Sequence, residues 1–214
     1  SAIEELSMLH TFSETLRIGT INTMYDCYLH QPIMDYICTY KDISLKVIID
    51  HSGPLLRMLQ DGMIDIAFSY VPLKKTGFLC IPFSTDDVVL VTSPEHQEFA
   101  NGIRQSNLPD LYYLYCDFMV QDGSTFPKNY SFPFEIDKLT HLLPYLTAGI
   151  GYTFLPQSLV QKYLDEKRLI SIPLLDFKAP AIQSYVVMPE GKADHLSICR
   201  LADALHISLK GVSQ

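Results

Sequence analysis

Leu146-Thr-Ala-Gly-Ile-Gly-Tyr-Thr-Phe-Leu-Pro156 places three element boundaries within a few residues of one another. Leu139, Leu142, Leu143 and Leu146 define an apolar helix that runs out at Gly149. Glycine is favoured just past a helix end because it takes positive φ without a Cβ clash. Gly151 then opens a short buried strand, Tyr152 to Leu155, and Pro156 starts a helix to about Glu166. At the first helical position the missing N–H of proline costs nothing. Helix, buried strand and helix in such quick succession are the grammar of an α/β protein.

The same alternation spreads in both directions. Leu16 to Asn22, Leu45 to Asp50 and Ile64 to Tyr70 read as apolar strands. Between them lie a helix with Leu29, Ile33, Tyr36, Ile37 and Tyr40 at steps of three and four, and a second with Leu55, Leu56 and Leu59 that Gly62 ends. Cys27, Met34 and Cys38 give the first helix a second apolar flank. Strands at Leu79–Phe83 and Asp87–Thr92 follow. The pattern then restarts with strands at Leu111–Cys116 and Phe132–Ile136, a helix capped by Asp137 and interrupted by Pro144, and the opening motif. Leu169–Pro173, a strand at Ile182–Met188 and a helix from Asp194 to Lys210 close the chain. Ahead of it all, Ile3, Leu6 and Leu9 suit a short amphipathic helix.

This order predicts an α/β protein of two Rossmann-like lobes joined by two crossover strands. Residues 16–87 and 190–214 form a discontinuous lobe I, 88–189 an inserted lobe II, and 1–15 the remnant of a linker helix. Ligands of open α/β sheets bind beyond the carboxyl ends of strands, beside helix starts.

Composition narrows the function. The 214 residues are 48% hydrophobic and 19% charged, which is globular, and the net charge is −8. A nucleic-acid binder needs a basic patch, and the basic residues here are scattered, so the chain itself should not bind DNA strongly. Five cysteines, odd in number and without a CxxC pair, read as free thiols in a reducing cytosol. No signal peptide or membrane-spanning run is legible. The start at Ser1-Ala2 in place of Met suggests a cut after a further N-terminal domain.

The opening motif resembles the "aaGlGiallP" signature of the effector-binding domain of LysR-type transcriptional regulators. Leu16-Arg-Ile-Gly19 is similar to that domain's start, and Ser52-x-x-Leu55 with Leu59-x-x-Gly62-x-Ile64-Asp-Ile-Ala67 to its second block. Phe83 to His96 looks like its crossover. Tyr70 departs from the arginine or other polar group many members carry there, and Gln121–Phe134 follows no pattern of the family. The resemblance implies a fold like that of type 2 periplasmic binding proteins. It also implies a winged helix-turn-helix ahead of the linker helix, through which alone DNA is bound, and a cytoplasmic location. A small-molecule effector, an organic acid or amino acid, would settle between the lobes. The domains would pair antiparallel as a homodimer, a tetramer in the intact protein, with the Tyr25–Tyr40 helix against the partner's Pro156–Glu166 helix.

Candidate ligand contacts follow from strand ends and from family position. They are Asn22, Thr23 and Met24 after the first strand; His51, Ser52 and Gly53 after the second; Tyr70 after the third; and Phe118, Met119, Ile136 and Asp137 in lobe II. Asp50-His51-Ser52 is no catalytic triad, because a strand points neighbouring side chains to opposite faces. Ser52 is expected first as a helix N-cap. His10, His96, His141 and His206 lack ligand spacing, Asp86-Asp87 and Asp165-Glu166 read as solvated, and no GxSxG, P-loop or GxGxxG sequence occurs, so neither catalysis, metal nor cofactor is expected. Two alternatives stay open: an extracytoplasmic solute-binding protein of the same fold, and a deaminase- or dehydratase-like enzyme on it.

Overall fold

The computed structural model describes residues 12–117, 125–127 and 129–209. The chain divides into two compact units, Ser1–Phe83 with Ser184–Gln214 and Ser84–Gln183.

The first unit is built on a five-stranded sheet. β1 (Glu14–Thr20) runs parallel to β2 (Ile43–Ile49) along its whole length and to β3 (Ile66–Ser69), while β10 (Ile182–Pro189) pairs antiparallel to β3. β4 (Phe78–Asp86) completes the order β2-β1-β3-β10-β4, and β4 and β10 are the two strands that carry the chain from one unit to the other. A parallel sheet must be covered on both faces, and the helices do this. The covering core contains Leu29, Ile33 and Tyr36, Leu55, Leu56 and Leu59, and Ile198 and Leu201. Each such side chain contributes roughly 1.5–3 kcal/mol by leaving water.

The helix after β1 is compound: a first α-turn, α1 (Asn22–Met24), a π-helical stretch Tyr25–Leu29, then α2 (His30–Thr39). The threes-and-fours spacing holds only from Leu29 onward, because one residue more per turn separates the two α segments. Of the second flank, Met34 is about half exposed, Cys38 exposed and Cys27 half-buried, and Ile37 of the expected core face is also about half exposed, so this side of α2 is apolar surface. Tyr36 donates its hydroxyl to the Ser197 carbonyl at 3.1 Å, which ties α2 to α6 (Leu196–Ala204). That closing helix stops well before Lys210. His206 turns left-handed, the Ile207 amide reaches back to the Ala202 carbonyl, and Leu205, Ile207 and Leu209 fold onto the core.

In the second unit β5 (Val88–Thr92) is flanked antiparallel by β8 (Tyr152–Pro156) and β9 (Ile170–Ile172). β6 (Leu114–Tyr115) pairs parallel with β7 (Phe134–Glu135), much shorter than the strand expected over Phe132–Ile136. The pattern-free segment supplies rings instead: Phe132 stacks on Tyr115 at 4.2 Å, and Phe126 lies 4.7 Å from Tyr113.

The opening motif folds with two shifts. The apolar helix breaks into a 3₁₀ turn, Leu139–Leu142, and α4 (Leu143–Thr147), which puts Pro144 in a first turn where it does not kink anything. Pro156 is the last residue of β8 and the cap of α5 (Gln157–Asp165), not its first helical residue. Asp86, expected to be solvated, accepts from the backbone N–H and the hydroxyl of Ser158, so the crossover strand caps α5. The cap position of the 3₁₀ turn is Lys138, one residue after Asp137, and it has no side-chain cap bond.

Gly151 has φ of 68°, and a Cβ there would lie 2.5 Å from the Tyr112 carbonyl oxygen, whereas Gly62 has similar φ and open space. Left-handed φ alone costs an L-residue roughly 1–2 kcal/mol. Gly62→Ala should therefore lose about that much in chemical denaturation, and Gly151→Ala distinctly more.

Candidate functional site

Three strand ends of the first unit meet at one edge. Register pairs Thr20 with both Ile49 and Phe68, and the Asp50 amide donates to the Thr20 carbonyl at 3.1 Å. The residues that follow are the sequence-predicted ones: Asn22–Met24 open α1, His51–Gly53 lead into α3 (Ser52–Gln60), and Tyr70 follows β3. Amides in the first turn of a helix have no intrahelical acceptor and point outward at the positive end of the peptide dipoles.

Ser52 does not cap its helix. The cap position is His51, with no side-chain cap bond, and Ser52 is the first helical residue. Its hydroxyl oxygen instead accepts the backbone N–H of Tyr70 at 3.2 Å, which sews the start of α3 to the end of β3. No local pattern could have revealed a bond between residues eighteen apart in the chain. Met24 is wholly buried in the core and Thr23 nearly so, which leaves Met24 only its backbone for a ligand. Asn22, Ser52 and Tyr70 are half-buried, and His51 and Gly53 are exposed.

The register that gathers these ends is fixed at the middle of β1. Asp65 accepts from the backbone N–H of Arg17 at 2.8 Å and from its guanidinium at 3.0 and 2.8 Å, and Lys192 adds a further bond. The Asp65 amide donates to the Arg17 carbonyl at 2.8 Å. Burial alone would raise the Asp65 carboxyl. The bonds from Arg17 and Lys192 outweigh it and bring the group down to about 2.

In the second unit Ile136 and Asp137 follow β7, and the Ile136 amide donates to the Tyr115 carbonyl at 3.0 Å. Ile136 packs partly on the core and Asp137 is exposed. Burial pushes the neighbouring Cys116 thiol up to about 12, with the charges of Asp117 and Asp137 adding to it and Lys138 opposing. That thiol is inert at neutral pH. Phe118 and Met119 lie outside the described residues. His96 meets the Gly149 carbonyl at 3.0 Å, a satisfied structural histidine. Among the described residues no group of three or more His, Cys, Asp or Glu could hold a metal ion, and no helix is long and apolar enough to cross a membrane.

Comparison with known proteins places this architecture. The family model of the LysR substrate binding domain matches residues 10–209, and the chain belongs to that family. Its fold is that of the type 2 periplasmic-binding-protein-like domains. The chain is 25% identical over 185 residues to the HTH-type transcriptional regulator CitR of Bacillus subtilis, with 82% of this chain and 63% of CitR covered. Over 222 residues it is 27% identical to a probable hydrogen peroxide-inducible genes activator of Streptomyces viridosporus, covering 97% of this chain and 70% of that one. The chain thus spans less than two thirds of CitR. Among solved structures, the CrgA regulatory domain of Neisseria meningitidis superposes with a TM-score of 0.74 at 18% identity, covering 89% of this chain and 96% of that one. The BenM effector binding domain with its effector benzoate gives 0.68 at 19%, covering 91% of each. CitR and CrgA are transcriptional regulators.

A group whose folded-state value lies below its unfolded value stabilises the fold above the unfolded value and ceases to do so as pH falls through the folded one. The fold should therefore be about 2 kcal/mol more stable with Asp65 ionised at neutral pH than with it protonated, a difference lost between roughly pH 4 and pH 2. Urea denaturation across that range should show the loss in the parent protein, with Asp65→Asn less stable at pH 7 and flatter below pH 4.

Proposed function

We propose that this chain is the effector-sensing part of a LysR-type transcriptional regulator, and that the edge formed by Asn22, Thr23, Met24, His51, Ser52, Gly53 and Tyr70 receives a small organic acid or amino acid. Ile136 and Asp137 are the ligand contacts proposed for the second unit. The observation that carries the reading is the Ser52–Tyr70 bond, which draws the start of α3 against the end of β3 beside the first turn of α1. Outward-pointing amides at two adjacent helix starts suit a carboxylate. The benzoate of the BenM domain is a ligand of that class.

Binding here involves no bond making. The ligand changes the balance between arrangements of the regulator only in so far as it prefers one of them. DNA contact belongs to a winged helix-turn-helix ahead of residue 1, in a cytoplasmic protein, which agrees with the chain's net charge of −8. Exposed Met34 and Cys38 of the second flank, with Ile37 exposed beside them, support homodimer formation against the partner's α5, and a tetramer in the intact protein.

Thermal-shift titration with benzoate, other small carboxylates and amino acids tests the site. A ligand at a hundred times its Kd stabilises by about 2.7 kcal/mol. Ser52→Pro keeps a residue tolerated at a helix start yet removes both the amide and the hydroxyl, and should abolish the shift, while Cys80→Ser keeps it. Equal shifts in the two variants would reject the assignment. For the dimer, Met34→Glu with Ile37→Glu should weaken self-association at least tenfold in sedimentation equilibrium without loss of fold.

A further inference from the structure

The opposite edge of the same sheet holds a cavity of about 300 Å³, lined among others by Glu14, Leu16, Arg17, Asp65, Lys192 and His195. Glu14 begins β1 and Arg17 stands at its middle, three residues before Thr20, so at about 3.3 Å per strand residue the cavity spans from roughly 10 Å to roughly 20 Å from the strand end that leads into the proposed effector edge.

Its charges are laid out unevenly. Both carboxylate oxygens of Asp65 are taken, Oδ2 by the Arg17 amide and Nε and Oδ1 by Nη2 and Lys192. Two cations around one saturated carboxylate leave a surplus positive charge. They also leave donors to spare: among the described residues no acceptor meets Arg17 Nη1, and an ammonium has three protons, of which Asp65 takes one. Arg17 and Lys192 remain about one third exposed, open to a small solute. Glu14 supplies the opposing charge. It accepts the Ser197 hydroxyl and has His195 Nδ1 at 4.0 Å, which leaves carboxylate lone pairs to spare. Leu16 and Ile198 also border the cavity, but each is only 1% exposed and belongs to the core.

A simple anion would meet Glu14 and a simple cation would meet Arg17 and Lys192. A molecule carrying both charges a few ångströms apart meets neither repulsion. We infer that this cavity is a second ligand site, separate from the effector edge, for a small zwitterion of the α-amino acid class. Its carboxylate faces Arg17 and Lys192, and its ammonium faces Glu14.

The test is a thermal-shift and calorimetric titration with L-alanine, with propionate and ethylamine as half-molecule controls at matched ionic strength. L-Alanine should bind saturably to the parent and to Ser52→Pro, and at least tenfold more weakly to Glu14→Gln and to Lys192→Gln, each read against its own unliganded baseline. Glu14→Gln keeps an acceptor for Ser197, so it tests the site without disturbing the Asp65 cluster. No L-alanine binding, propionate binding Ser52→Pro as well as L-alanine does, or full L-alanine binding in Glu14→Gln would each overturn the inference. Binding lost in Ser52→Pro but kept in Glu14→Gln would overturn it while leaving the effector edge standing.

Discussion

A single buried carboxylate, Asp65, sets the geometry on which the first unit depends. It sits one residue before β3 and takes hold of β1 through the Arg17 backbone and side chain together, while its own amide closes the ring to the Arg17 carbonyl. Gathering charges in a protein interior costs desolvation that their attraction roughly cancels, so such a cluster is a poor source of stability for its size. Its worth lies in excluding other pairings. A slip of one residue would carry Leu16 and Ile18, both buried, to the opposite face of the sheet and leave Asp65 without Arg17. With the register held, Thr20 must lie beside Ile49 and Phe68, and the strand ends that lead into α1, α3 and Tyr70 fall together.

The two ends of β1 are consequently unlike in chemistry. At the carboxyl end the sheet presents peptide dipoles and a hydroxyl already committed to Tyr70. At the amino end it presents formal charges in near balance. Helix-start amides hold an anion by direction more than by field strength, because each carries only a fraction of a charge and the effect fades within a turn. The protein's overall net charge of −8 opposes an anion at long range, yet it is screened beyond about 8–10 Å at physiological salt. Recognition at that edge is decided by how well a carboxylate fits the fixed amides, which favours discrimination by shape.

Much of this was legible in the residues, and what was not shares a physical cause. Strands announced themselves because both faces of a parallel sheet are covered, which makes β3 almost uninterruptedly apolar. Glycines at 149 and 151 were readable because their backbones lie at φ of 80° and 68°, conformations few other residues accept. The misreadings concern partners distant in sequence. Ser52 has the right chemistry for a cap, and nothing near it in the chain says that the Tyr70 amide will claim its oxygen. The capping of α5 comes from Asp86, seventy-two residues earlier, so the local sequence lacks a cap and the distant acid looks idle. The π-helical stretch at Tyr25–Leu29 was hidden because a helix wheel assumes one constant pitch.

The same logic explains why Gln121–Phe134 followed no motif while part of it is structurally committed. Aromatic rings pack tilted or stacked over a wide range of spacings, so they impose no period on the sequence that carries them. Phe126 and Phe132 both meet Tyr113, whose hydroxyl accepts the Phe154 amide at 3.2 Å. Burial pushes that phenol up to about 12, so it stays neutral and keeps its bond to β8 through any physiological pH. β8 is the strand of the Gly149–Pro156 motif. Two rings from a stretch without recognisable pattern thereby buttress the one stretch whose pattern is plainest, and changes at Phe126 and Phe132 are limited by ring volume.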